Sequence, residues 1–204
     1  MKSYAVSSSA EIMDRIAYAK RKIREVIATS KVQEDPAHAD NTLEWLLKFD
    51  PTADPAMQVA ALAHDIDRAV EERKTRRSDF DDYDVFKAAH AQNGAKILRE
   101  ILDDCQVAKL IAEEACRLVT LHEVGGDPRS DLLKDADSIS YFDVNMPLYY
   151  QREGWDETKR RCVWGYRRLS SRGKEVIKGI TYENQTLTRL LNEAIGQTGG
   201  KEFI

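Results

Sequence analysis

The stretch VAALAHDIDRAV, residues 59–70, decides how the rest of the chain is read. On a helical wheel Val59, Leu62, Ile66 and Val70 form one apolar face, while Ala60, Ala61, His64, Asp65 and Arg68 fall largely opposite. A surface helix fills that opposite side with long charged groups. Here alanines lead up to an adjacent His-Asp pair. Small side chains admit close neighbours, so a helix over 59–70 is predicted to be enclosed on both sides. An enclosed carboxylate needs a counter-charge, because a bare one in low dielectric is costly. His64, Arg68 or a bound cation can supply it.

Helical signals dominate elsewhere. Ser8 with Glu11 three residues on is a capping-box pattern, and Ile12, Ile16, Ile23 and Ile27 follow at helical spacing. Asp35-Pro36 and Asp54-Pro55 each set a capping acid before a proline suited to the first helical position. Gly125-Gly126 closes one helix and Asp127-Pro128 opens the next. Trp155-Asp156 predicts a further start, and Gly179 precedes a last helix over roughly 181–195. No segment alternates apolar and polar residues with β-branched enrichment, so the expected fold is all-α. It reads as one domain over 1–204, with an N-terminal helix in 1–35 and a helical appendage over 146–197. The charged run EERKTRRSDFDDYD (71–84) reads as a solvated loop and GQTGGKEFI (196–204) as a frayed tail.

The 204 residues suffice for one domain with a substantial core. A formal net charge of −4 gives no global pull towards nucleic acid or anionic membranes, so any recognition of phosphate has to be local. Cys105, Cys116 and Cys162 form no C-x-x-C pair, which argues for a reducing compartment and against a disulfide framework. No run of apolar residues approaches membrane-spanning length and no signal-peptide core is evident, so a cytoplasmic location is expected.

Each of the remaining histidines sits on an apolar stripe. His38 heads His38–Thr42–Trp45–Phe49, and His122 closes Ile111–Ala115–Leu118–His122. His90 lies on Phe86–His90–Gly94–Ile97–Ile101, where the glycine allows close approach. In LLKDADSISYF (132–142), Asp137 falls one turn after Leu133 and one before Tyr141, again facing inward. Taken singly, an inward histidine is most simply a hydrogen-bonded core residue. Four of them with two inward aspartates would each need a separate partner, whereas one metal site satisfies them together.

His38, the His64-Asp65 pair and Asp137 in KDADSI resemble the H…HD…D signature of the HD-domain superfamily of metal-dependent phosphohydrolases. HAQNGAKIL (90–98) and LVTLHEVGG (118–126) resemble the two extra histidine segments of members with a two-metal centre. The resemblance spans about residues 36–145. It implies an HD-type helical bundle, with extra C-terminal helices, in which His38, His64, Asp65 and Asp137 hold one divalent ion. Asp65 then bridges to a second ion completed by His90 and His122. Imidazole with carboxylate, and no cysteine nearby, suits iron, manganese, zinc, nickel or cobalt.

The chain also departs from that pattern. Where many members carry glycine and then lysine after the pair and an apolar residue, it has Asp67 and Arg68. Arg68 keeps a positive group that can clamp a substrate phosphate. The alternative is an ion pair to Asp65 or Asp67. Asp67 can pair with Arg68 or a helix neighbour, or mark a different substrate. Between Arg152 and Lys174, eight Lys/Arg stand against three acids, interleaved with Trp155, Trp164 and Tyr166. That mixture suits either nucleotide or RNA contact, or an amphipathic helix with a solvated basic face, and the second weighs more.

The resemblance implies an enzyme that hydrolyses a phosphate ester or anhydride of a small molecule, a nucleotide first, with metal-activated water as nucleophile and Asp65 and Arg68 as catalytic residues. One or two ions are expected, a membrane is not, nucleic acid is not the first choice of partner, and self-association stays open. The rivals are a metal-containing regulatory module without turnover, which Asp67 favours, a di-iron oxygenase, and an RNA-associated helical protein with structural histidines.

Overall fold

A computed structural model describes residues 8–199, and among them the chain is all-α with no strand. The helices are α1 (Ser9–Ile27), α2 (Asp35–Phe49), α3 (Pro55–Ala63), α4 (Tyr83–Asp104), α5 (Lys109–Leu121), α6 (Pro128–Ser140), α7 (Met146–Arg168), α8 (Ser171–Lys178) and α9 (Gln185–Gly199). None is long and apolar enough to cross a membrane.

Local chemistry accounts for most starts. Ser8 Oγ accepts the Glu11 N–H at 3.2 Å, while the Glu11 carboxylate turns to Arg15. Asp54 Oδ1 caps α3 by accepting the Met57 N–H at 3.1 Å, and Asp127 with Ser130 forms a full capping box on α6. Helix α2 begins at Asp35 as expected, but Asp35 is not its cap. Its carboxylate faces inward, accepting from Ser30 Oγ at 2.6 Å and pairing with Arg68 at 2.9 Å. Gly154, at φ 76°, breaks α7 and lets a new helical run start at Trp155-Asp156.

Three expectations are corrected. The helix predicted over 59–70 ends at Ala63. His64 is its C-cap, Asp65 leaves helical dihedrals at φ −103° and ψ 16°, and Ile66–Ala69 forms a 3-10 turn. Residues 59–64 are nonetheless all buried, so the predicted enclosure stands. The last helix starts at Gln185 rather than near 181, where the Asn184 side chain accepts the Thr186 N–H at 3.0 Å. That helix continues to Gly199, so residues 196–199 are helical, while 200–204 of the expected tail lie outside the described residues.

The apolar interior has two parts. One gathers α1 to α5 with Leu133 and Ala136 of α6. The other gathers Ile139, α7 and α9 around Phe142 and Met146. Helix α6 belongs to both, and a π-helical turn over Tyr141–Asn145 joins it to α7. Asp137 stands on α6 between the two parts. Such wide turns recur at functional sites.

Candidate metal centre

Five elements bring their polar residues to one point. His38 comes from α2, His64 and Asp65 from the end of α3, His90 from α4, His122 from the end of α5 and Asp137 from α6. All four imidazoles are buried, and so is Asp137; Asp65 is only partly shielded. Helix α4 crosses close to the end of α3, where a Cβ on Gly94 would meet the His64 carbonyl at 3.5 Å. That is ordinary contact, so space alone does not demand the glycine.

The hydrogen bonds fix which nitrogen each ring offers. His64 Nδ1 faces the Ala61 carbonyl at 2.9 Å and His122 Nδ1 the Val119 carbonyl at 2.7 Å, so each Nδ1 donates. Ser140 Oγ donates to the His38 carbonyl at 3.2 Å, which leaves it to accept from His38 Nδ1 at 2.8 Å. His90 Nδ1 donates to the Asp67 carboxylate at 2.8 Å. Every Nε2 therefore faces the interior of the cluster, the orientation that ligating imidazoles adopt, and His90 Nε2 there meets Asp65 Oδ1 at 2.8 Å.

The inward atoms lie at ligand spacing. His38 Nε2 is 3.1 Å from His64 Nε2 and 3.2 Å from Asp137 Oδ1, and His64 Nε2 is 3.4 Å from Asp137 Oδ1. Both nitrogens are 3.7 Å from Asp65 Oδ2. Donors about 2.1 Å from one ion stand about 3.0–3.5 Å apart. Two lone pairs 3.1 Å apart repel unless a cation or proton lies between them.

A second set surrounds the other oxygen of Asp65. His90 Nε2 is 2.8 Å from Asp65 Oδ1, and His122 Nε2 is 3.9 Å from it and 3.0 Å from Glu123 Oε1. Donor atoms of Asp65, His90, His122 and Glu123 all lie within 4.8 Å of one another. His122 Nε2 is buried, and its 3.0 Å approach to Glu123 Oε1 does not have hydrogen-bond geometry. An orphaned lone pair among carboxylates fits a cation, and the imidazole–carboxylate set fits a divalent transition metal.

The electrostatics agree. Burial opposes charge on His64, but Asp65 and Asp137 outweigh it and push its pKa up to about 9. Burial also opposes charge on Asp65, yet Arg68, His64 and His90 hold its carboxyl well below the usual range. Asp137 is likewise held low against its burial by His38, His64 and Arg168. For His38 burial prevails, lowering its pKa. The cluster thus keeps its carboxylates charged and attracts positive charge.

All six expected ligands converge. Arg68 is also at the cluster, with Nη1 2.6 Å from Asp65 Oδ2 and Nη2 2.9 Å from Asp35. Asp67 pairs with His90 rather than with Arg68. It also accepts the Thr75 N–H at 3.1 Å and a bond from Asn93, which buries it without leaving it unpaired.

Sequence reading missed Glu123 and Lys87 here, and named Arg161 and Arg168 only as members of the basic 152–174 segment. Glu123 joins the second set, with Lys87 paired to it. Arg168 reaches Glu123 at 3.2 Å and Asp137 at 3.5 Å, and donates to the His122 carbonyl at 3.0 Å. Arg161 lies between Tyr141 and Trp164.

A small cavity of about 80 Å³ at His38, Asp65 and Asp137 shares Arg68, Lys87, Tyr149 and Arg161 with a larger pocket of about 680 Å³. Arg68, Lys74, Arg76, Arg77, Lys87, Arg160 and Arg161 line that pocket against one carboxylate, Glu157. Tyr83, Phe86, Tyr149 and Trp164 supply aromatic faces.

Fold and cluster together define an all-α protein with a His/Asp/Glu constellation able to hold metal. The chain belongs to the DUF4202 family, described as a domain of unknown function, whose profile matches residues 10–190. No curated protein and no solved structure matches it.

Proposed function

We propose that the protein is a metal-dependent phosphohydrolase acting on a small-molecule phosphate ester or anhydride, with a nucleotide as the first candidate. The observation that carries this reading is a carboxylate facing two sets of candidate ligands, in a small cavity that adjoins a cation-lined pocket. The order of the six residues, similar to that of HD-domain phosphohydrolases, supports it. His38, His64, Asp65 and Asp137 would hold one divalent ion, and Asp65, His90, His122 and Glu123 a second. Two such ions supply Lewis-acid charge to phosphoryl oxygens and make water acidic enough to attack at neutral pH.

The chain's own groups do the rest. Arg68 neutralises Asp65 and Asp35 at the mouth of the cluster, and a phosphate entering from the pocket meets its exposed edge. Ser140, Asp67 and the Ala61 and Val119 carbonyls hold the rings in the ligating tautomer. Tyr83 and Phe86 offer aromatic faces to a base.

The test is elemental analysis of the purified protein, followed by a panel of nucleoside and sugar phosphates with the metal found. Phosphate release that disappears in Asp65→Ala supports the reading. A fully metallated protein that hydrolyses nothing across the panel sinks it.

A further inference from the structure

Among the cations that line the small cavity, Arg161 is the one that no carboxylate of the described residues holds. Arg68 divides between Asp65 and Asp35, Arg168 between Glu123 and Asp137, and Lys87 pairs with Glu123. Among the described residues Arg161 makes no ion pair, and its Nη1 is shut off from solvent without a hydrogen-bond partner. Asp137 and Glu123 act on it only through space. Its guanidinium lies over Trp164 at 4.3 Å and Tyr141 at 4.9 Å instead. Aromatic faces recover only part of what a guanidinium loses on leaving water.

Its position explains why such a group would be kept. Arg161 lines both the small cavity and the large pocket, so whatever passes from one to the other meets it. A planar fork of donors, fixed by two rings and with bonds to spare, matches the adjacent oxygens of a phosphate. Arg68 and Lys87 flank the same passage and add positive charge.

We propose that Arg161 is an anion-binding residue at the passage between the small cavity and the larger pocket, gripping a phosphate group of the ligand there. The inference deepens the hydrolase reading and rests on the same site, but it requires only that an anion binds. The free protein keeps this guanidinium unpaired at a cost in stability that the bound anion removes.

The experiment titrates inorganic phosphate into the full chain as purified, its metal content assayed, for wild type, Arg161→Met and Arg161→Lys. Methionine keeps the contacts with both rings and removes the charge. Arg161→Met is expected to weaken phosphate binding roughly 10- to 100-fold, the usual effect of losing charge-assisted hydrogen bonds, with metal content unchanged. In phosphate-free buffer it melts no lower than wild type, and raising its Tm takes correspondingly more phosphate. Arg161→Lys binds phosphate with intermediate affinity. Equal phosphate affinity in Arg161→Met and wild type overturns the proposal. If the methionine variant does not fold, wild-type affinity in Arg161→Lys overturns it instead. Arg161-dependent phosphate binding without hydrolysis of any ester leaves this inference standing and removes the hydrolase.

Discussion

Asp67 accepts the Nδ1–H of His90 at 2.8 Å, and this bond, made from outside the ligand set, decides where the other ring nitrogen points. Losing such a partner commonly lowers metal affinity by about 10- to 100-fold. Asp67→Ala is therefore expected to weaken the site containing His90 by that order while leaving the His38–His64–Asp137 site filled. Metal titration with stoichiometry measured at each step checks it. Two sites of undiminished affinity would show that His90 needs no such support.

Asp65 should behave unlike every other ligand. Its two oxygens face different sets, so Asp65→Ala is expected to lose both ions. His90→Ala, His122→Ala and Glu123→Gln are each expected to lower metal content from two ions to one. Elemental analysis of the folded variants distinguishes these outcomes. Full content in all three of the latter removes the second site.

Cap chemistry predicts a pH-dependent stability difference. Burial tends to raise the pKa of Asp54, but Arg129 and the Met57 N–H outweigh it and lower the net value. A depressed carboxyl contributes stability that is present above the unfolded value of about 3.9 and lost as pH falls through the lower folded one. Asp54→Ala should cost about 1 kcal/mol at pH 7, with a smaller difference in strong acid. Urea unfolding at both pH values measures it, and an equal difference at both would contradict the assignment.

The turn after Glu123 depends on backbone freedom. Gly125 has φ +71°, and an added Cβ would also meet the Asp131 carboxylate that accepts the Gly126 N–H. Gly125→Ala is expected to destabilise the fold by about 1 kcal/mol and to lower affinity at the His122–Glu123 side, because α5 and α6 would meet differently. Thermal melting and metal titration read the two effects. An unchanged Tm would mean that the turn relaxes freely.

Much of the cluster was legible because inward polar residues on helix stripes obey the helical period. His38, His90, His122 and Asp137 each showed themselves by standing where an apolar residue was due. Period could not reveal where α3 stops, since residues 59–70 keep their spacing through a helix end that is set by His64 turning its Nδ1 to a carbonyl. It could not reveal the partner of Asp67 either, because His90 is brought there by tertiary packing. Glu123 was the avoidable miss. It follows a stripe histidine and precedes Gly125-Gly126, a placement matching that of Asp65 after His64 at the end of α3. Arg161 and Arg168 could not be told from the other basic residues of α7 until the kink at Gly154 set which of them face inward.

One carboxylate at the end of α3 faces both halves of the cluster. Neither half can then be retuned alone during evolution, for any replacement that suits one set of neighbours strips the other of its shared arm. In the two-ion reading, drift at this position is closed off, and adaptation to a new ligand is left to the residues around the rim.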